Sequence, residues 1–147
     1  MILQVHELQT ELKQKIKATQ HVDMYAVRLH LYRHNSPAGQ LFVELRNANN
    51  KLVKTSEVIN ISSIPVTQAY FHGYIRFLIS NSLKEDSQYY IALKSAGYTY
   101  SPSAFIGWVN DFDLRRVRSN YAPNAGINAP LGIELWSNET IHRESIA

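Results

Sequence analysis

The chain is built from short runs in which apolar and polar residues alternate, each closed by glycine, proline, asparagine or serine before a helical repeat can form. Residues 88–113 show this best. Tyr89, Ile91 and Leu93 alternate with Tyr90, Ala92 and Lys94, the two-residue period of a strand with one buried face. Phe105, Ile106, Trp108 and Val109 form a second apolar run, and Gly97, Pro102 and the serines between the two runs rule out one continuous helix. The stretch therefore predicts two strands joined by an aromatic loop.

The same pattern fills most of the chain. Residues 1–20 fit two descriptions: Val5, Leu8, Leu12 and Ile16 have helical spacing, while Leu12, Gln14, Ile16 and Ala18 alternate with Lys13, Lys15 and Lys17. The strand, over 12–19, is preferred because the helical stripe is narrow and would leave the next strand without an antiparallel neighbour. From Met24, Tyr25, Val27, Leu29 and Leu31 are expected on one face and Arg28, His30 and Tyr32 on the other. A turn over 34–39 leads to a strand of Leu41, Val43 and Leu45, which the asparagine-rich connection 47–51 joins to a returning strand at 52–59. Pro65 marks an edge or a passage between sheets, since it cannot donate to a ladder, and the path is expected to change sheets there. Residues 70–79 are the most apolar run, Gly73 is a candidate bulge, and 80–87 reads as a polar turn. Residues 114–130 form a long loop rich in Asn, Pro and Gly, a last strand is expected at 131–136, and 138–147 and 1–10 read as loose or partner-docking termini of a single domain. Roughly eight short strands without helical patterns between them predict an all-β antiparallel sandwich of jelly-roll type.

Composition narrows the chemistry. The absence of cysteine in 147 residues removes disulfides, thiolate metal sites and cysteine nucleophiles together. Nine tyrosines, five phenylalanines and two tryptophans suit a pleated, half-buried surface. A net charge of +3, from 15 basic and 12 acidic residues, tolerates anionic partners without the dense basic stripe of a dedicated nucleic-acid binder. The first residues lack the pattern of a secretory signal and no apolar run is long enough to span a bilayer, so a soluble product that keeps its start is expected.

The order of K-Q-K-I-K-A-T at 13–19, G-Q-L-F-V-E-L at 39–45, N-K-L-V-K-T-S at 50–56 and Q-Y-Y-I-A-L ahead of F-I-G-W resembles a known group over residues 10–137. That group is the jelly-roll β-sandwich modules of carbohydrate-binding-module topology found in phage virions and as accessory domains of extracellular proteins. The resemblance implies a non-enzymatic bacteriophage structural protein, a capsid-decoration (cement) or tail-associated component made in the host cytoplasm. Its partners would be other virion proteins and further copies of itself, in a homo-oligomer, with no cofactor, membrane or specific nucleic acid. The alternative is a module that recognises glycans through loop tyrosines.

The candidate ligand- or partner-binding residues are Tyr98, Tyr100, Arg115, Arg116, Arg118 and Tyr121. Exposed aromatic rings stack on sugars and arginines meet anionic groups, and Tyr98 and Tyr100 are expected to be exposed on their loop. Trp108 and Trp136 offer rings too, but their apolar settings predict core positions. Asp111, Asp113 and Glu134 are oxygen donors without calcium-loop spacing and read as solvated turn residues. His30 and His34 share a strand face but are too far apart to chelate a metal alone. The comb of Lys13, Lys15 and Lys17 reads as a solvated face that protects an edge strand, the alternative being contact with phosphates, acidic glycans or an acidic partner surface. No G-x-S-x-G, H-E-x-x-H or phosphate-cradling glycine loop occurs.

Overall fold

The computed structural model describes residues 2–5, 12–18, 21–64, 74–109, 133–137 and 140–141. In chain order the strands are β1 (Ile2–Val5), β2 (Leu12–Lys17), β3 (Val22–His34), β4 (Gln40–Asn47), β5 (Leu52–Thr55), β6 (Ile59–Asn60), β7 (Tyr74–Leu83), β8 (Gln88–Ala96), β9 (Phe105–Val109), β10 (Ile133–Ser137) and β11 (Thr140–Ile141). A 3₁₀ turn, Ile61–Ser63, follows β6. The strands make two antiparallel sheets that share one core, the all-β sandwich that the alternation predicts.

The pairing is nested. β4 pairs with β5 and β6, β3 with β7, β2 with β8 and β1 with β9, so the chain folds back on itself as one long hairpin. Cross pairs β4–β8 and β3–β9 then roll that hairpin into a five-stranded sheet, β2-β8-β4-β5 with β6 on β4, and a six-stranded sheet containing β1, β9, β3 and β7. This is the jelly-roll order. β10 adds to β3, and β11 pairs back on β10.

At the centre of the nest lies the β4–β5 turn. The Asn47 carboxamide oxygen accepts the backbone N–H groups of Asn49 (2.9 Å) and Lys51 (3.0 Å). Asn50 takes the left-handed conformation (φ 62°) that asparagine tolerates better than most residues, and its N–H donates to the Asn47 carbonyl at 2.8 Å.

Alternation places the core. In β2, Leu12, Gln14 and Ile16 are buried and the three lysines are half-exposed, which confirms a strand there. Its partner differs from expectation: β2 lies beside β8 in the other sheet from β3, because nesting pairs elements that are distant in sequence. β3 departs from simple alternation. The register against β7 shifts between Met24 and Ala26, so the inward set passes from Val22 and Met24 to Val27, Leu29 and Leu31. Met24 is therefore in the core and Tyr25 is not, and His30, expected on the outer face, is buried at 5% exposure. Trp108 is the largest fully buried side chain, and its backbone lies between Leu3 of β1 and Leu31 of β3.

Other boundaries also differ. The strand expected at 52–59 is two pieces, and β7 runs on to Leu83, through residues expected in a turn. The passage between sheets falls between β6 and β7 as expected; Pro65 and Gly73 themselves lie outside the described residues. Between β5 and β6 the chain leaves the ladder and Ser56 repairs it. Its N–H donates to the Val43 carbonyl (2.8 Å), and its buried hydroxyl accepts the Val43 N–H (2.8 Å) while donating to the Glu57 carbonyl (2.8 Å). Glu57 then reaches across to β7 of the other sheet. Its N–H donates to the Leu78 carbonyl (3.0 Å) and its carboxylate accepts the Leu78 N–H (2.7 Å).

Ser56→Ala leaves the buried Val43 N–H without its acceptor, at a cost of about 1–3 kcal/mol. Urea unfolding should show a lower midpoint at unchanged slope, while Ser62→Ala, at an exposed position, should shift stability by less than about 0.5 kcal/mol.

Candidate functional site

The loop between β8 and β9 packs against the loop between β3 and β4 at one end of the sandwich. Gly39 (φ 119°) and Gly97 (φ 67°) bring the two backbones together, and a Cβ on Gly39 would lie 2.8 Å from the Gly97 carbonyl carbon and the Tyr98 nitrogen. Only glycine fits there. The Asn35 carboxamide, on a residue with φ 57°, donates to the Ser103 carbonyl, and the His34 and Phe105 rings stand 4.9 Å apart. Ser101 and Ala104 exchange backbone hydrogen bonds (3.2 and 3.0 Å), and the Ser101 and Ser103 hydroxyls are 2.9 Å apart. The tip is a small closed hairpin with a polar rim.

This geometry corrects the expectation for Tyr98. It is buried at 4% exposure, and its phenolic oxygen accepts the Ile106 N–H at 3.1 Å. A loop tyrosine can serve the core because the Gly39–Gly97 approach turns the chain inward just before it. Tyr100 is half-buried against the core, with its ring 5.9 Å from that of Phe105. Of the loop pair, only Tyr100 keeps a surface for a ligand. Arg115, Arg116, Arg118 and Tyr121, with Asp111 and Asp113, lie outside the described residues.

The two tryptophans separate. Trp108 is in the core as expected, whereas Trp136 is half-exposed on the other face of its sheet, with the Arg28 guanidinium 4.3 Å above its ring. In register Arg28 stands between Arg76 of β7 and Glu134 of β10. The Arg28–Trp136 stack was invisible in the sequence, where the two residues are far apart.

One Ser/Asp/His grouping exists among the described residues, and its wiring does not make a nucleophile. The exposed Asp23 carboxylate takes both the His21 ring nitrogen (2.8 Å) and the Ser82 hydroxyl (2.8 Å) on the same oxygen. The hydroxyl is therefore directed at a carboxylate and not at an imidazole that would take its proton. The hydrogen bond from Ser82, then the bond and charge of His21, hold the Asp23 carboxyl below the ordinary aspartate range. No three His, Cys, Asp or Glu side chains among the described residues are placed to hold a metal ion. No family model, curated protein or solved structure matches the chain.

Two outcomes test this geometry. Tyr98→Phe should destabilise the fold by about 1–3 kcal/mol in chemical denaturation, because the buried Ile106 N–H loses its acceptor. In an NMR titration Asp23 should ionise below ordinary aspartates, and Ser82→Ala should move its midpoint upward. With the folded midpoint depressed, whatever stability Asp23 adds is present above its unfolded pKa and lost as pH falls through the folded one.

Proposed function

We propose that the chain is a non-enzymatic structural component of a phage virion, a capsid-decoration (cement) or tail-associated protein. It acts as a homo-oligomer through contacts with neighbouring copies and other virion proteins. The observation that carries this reading is the side of the sandwich where β5 meets β7. Leu52, Val53, Val58 and Leu78 are the exposed large aliphatic residues among those described, at 40 to 57% exposure. Two sit on β5 and one follows it, and Leu78 is tied to the residue before Val58, Glu57, by one backbone hydrogen bond and one to the Glu57 carboxylate.

Burying a full aliphatic side chain gains about 1.5–3 kcal/mol, so a contact over four half-exposed ones is modest alone. Repetition across many copies multiplies it, as a decoration protein requires. The jelly roll supports the reading at the level of fold analogy, since the same architecture serves in viral capsid and lectin domains. A second reading, glycan recognition, keeps support from half-buried Tyr100 beside the Ser101 and Ser103 hydroxyls.

Sedimentation of the pure protein and co-sedimentation with virion proteins test the first reading. The expected result is an oligomer that binds virions, with Leu52→Lys/Leu78→Lys dissociating the oligomer and weakening virion binding by more than about tenfold at an unchanged thermal midpoint. A lone monomer without virion contact refutes it. A glycan array tests the second: saturable binding abolished by Tyr100→Ala supports it, whereas Tyr98→Ala is uninformative because it empties a core position.

A further inference from the structure

The outer face of the five-stranded sheet carries a charge pattern that packing does not require. Register lays it out in rows: Lys15, Tyr90 and Arg46 in one; Lys13, Ala92 and Glu44 in the next; then Lys94 and Phe42. With Lys17 at the end of β2, the face presents four lysines, while its one arginine, Arg46, is buried at 8% exposure and paired with its one carboxylate, Glu44. That carboxylate is engaged, since Glu44 accepts from the Arg46 guanidinium at 2.6 and 3.2 Å. Edge protection accounts for lysines on β2, which pairs only with β8 among the described residues. It does not account for Lys94, which lies on the interior strand β8, where there is no edge to guard.

We propose that this face binds a linear acidic polysaccharide, a chain of carboxylated or sulfated sugars laid along β2 and β8. Alternate residues of a strand stand about 6.6–6.8 Å apart, so Lys13, Lys15 and Lys17 form a regular row of ammonium groups matched to a polymer with repeating charge. The three lysines are half-exposed, as side chains that lay an apolar stem on a sheet and keep a charged head in water would be. Single-stranded nucleic acid fits less well, because it needs bare aromatic faces for its bases. Here the Tyr90 ring is covered by the Lys13 ammonium 4.7 Å from its centre, and Phe42 is half-buried. The inference is independent of the virion reading and of the loop tyrosines.

The test measures binding of polygalacturonate and heparin, with neutral dextran and a thymidine oligonucleotide as comparisons. Saturable binding of at least one acidic polysaccharide is expected, weakening at least about tenfold between about 50 and about 200 mM salt. Lys15→Glu/Lys94→Glu should cost at least about tenfold, while Lys54→Glu/Lys84→Glu, the same charge change away from the face, should cost less than about twofold. Thermal midpoints of both variants establish that the fold is intact. Three outcomes overturn the proposal: no saturable binding of either polysaccharide, equal losses in the two variants, or tighter binding of the oligonucleotide, which would make the face a nucleic-acid surface.

Discussion

Each strand pair of the main hairpin lies outside the one before it, and the innermost encloses only the turn at Asn47–Lys51. An error there would propagate outward. If the turn slipped by one residue, Leu41, Val43 and Leu45 would meet β5 and β6 out of phase, and every inward set further out would be displaced with them. Two bonds to one carboxamide and a left-handed asparagine hold the register at the point where it costs least chain entropy to set. The outer pairs join residues of growing separation, as in other folds dominated by non-local contacts.

This nesting also marks what could be read from the sequence. Alternation identified the strands around Leu12, Leu41 and Tyr89 because one face of each is buried and side chains change face at every residue. It could not identify β2's partner, since lysines at 13, 15 and 17 look the same beside any neighbour. It misassigned Tyr25 and Met24 because a register shift changes the inward set without leaving a mark in composition. Tyr98 was misread for a related reason. Its loop position was clear, but the close backbone approach that turns it inward depends on Gly39, far away in the chain. The basic comb was legible, whereas its continuation to Lys94 appears only once β2 and β8 lie side by side.

The outward surfaces of the two sheets differ in how they manage charge. On the six-stranded sheet the Arg28 guanidinium is stacked on Trp136, and its buried Nε has no hydrogen-bond partner among the described residues. That stack spreads the charge over a ring. On the five-stranded sheet the cations are mainly lysines, whose ammonium groups are compact and strongly hydrated. The first arrangement covers an arginine with an indole, and the second sets lysines in rows, with the Lys13 ammonium over the Tyr90 ring. Exposed Leu52 of β5 stands beside Arg46 at the margin of the five-stranded face, and exposed Leu78 of β7 belongs to the six-stranded sheet.

Glu57 has a consequence for how copies of this protein can gather. By supplying both a donor and an acceptor to Leu78, it occupies the backbone groups that an incoming strand would need at the middle of β7. Cross-β growth into a fibre demands an unbroken ladder, and here one residue interrupts the template. A second chain that approaches β7 at Leu78 meets side chains there and not open backbone groups.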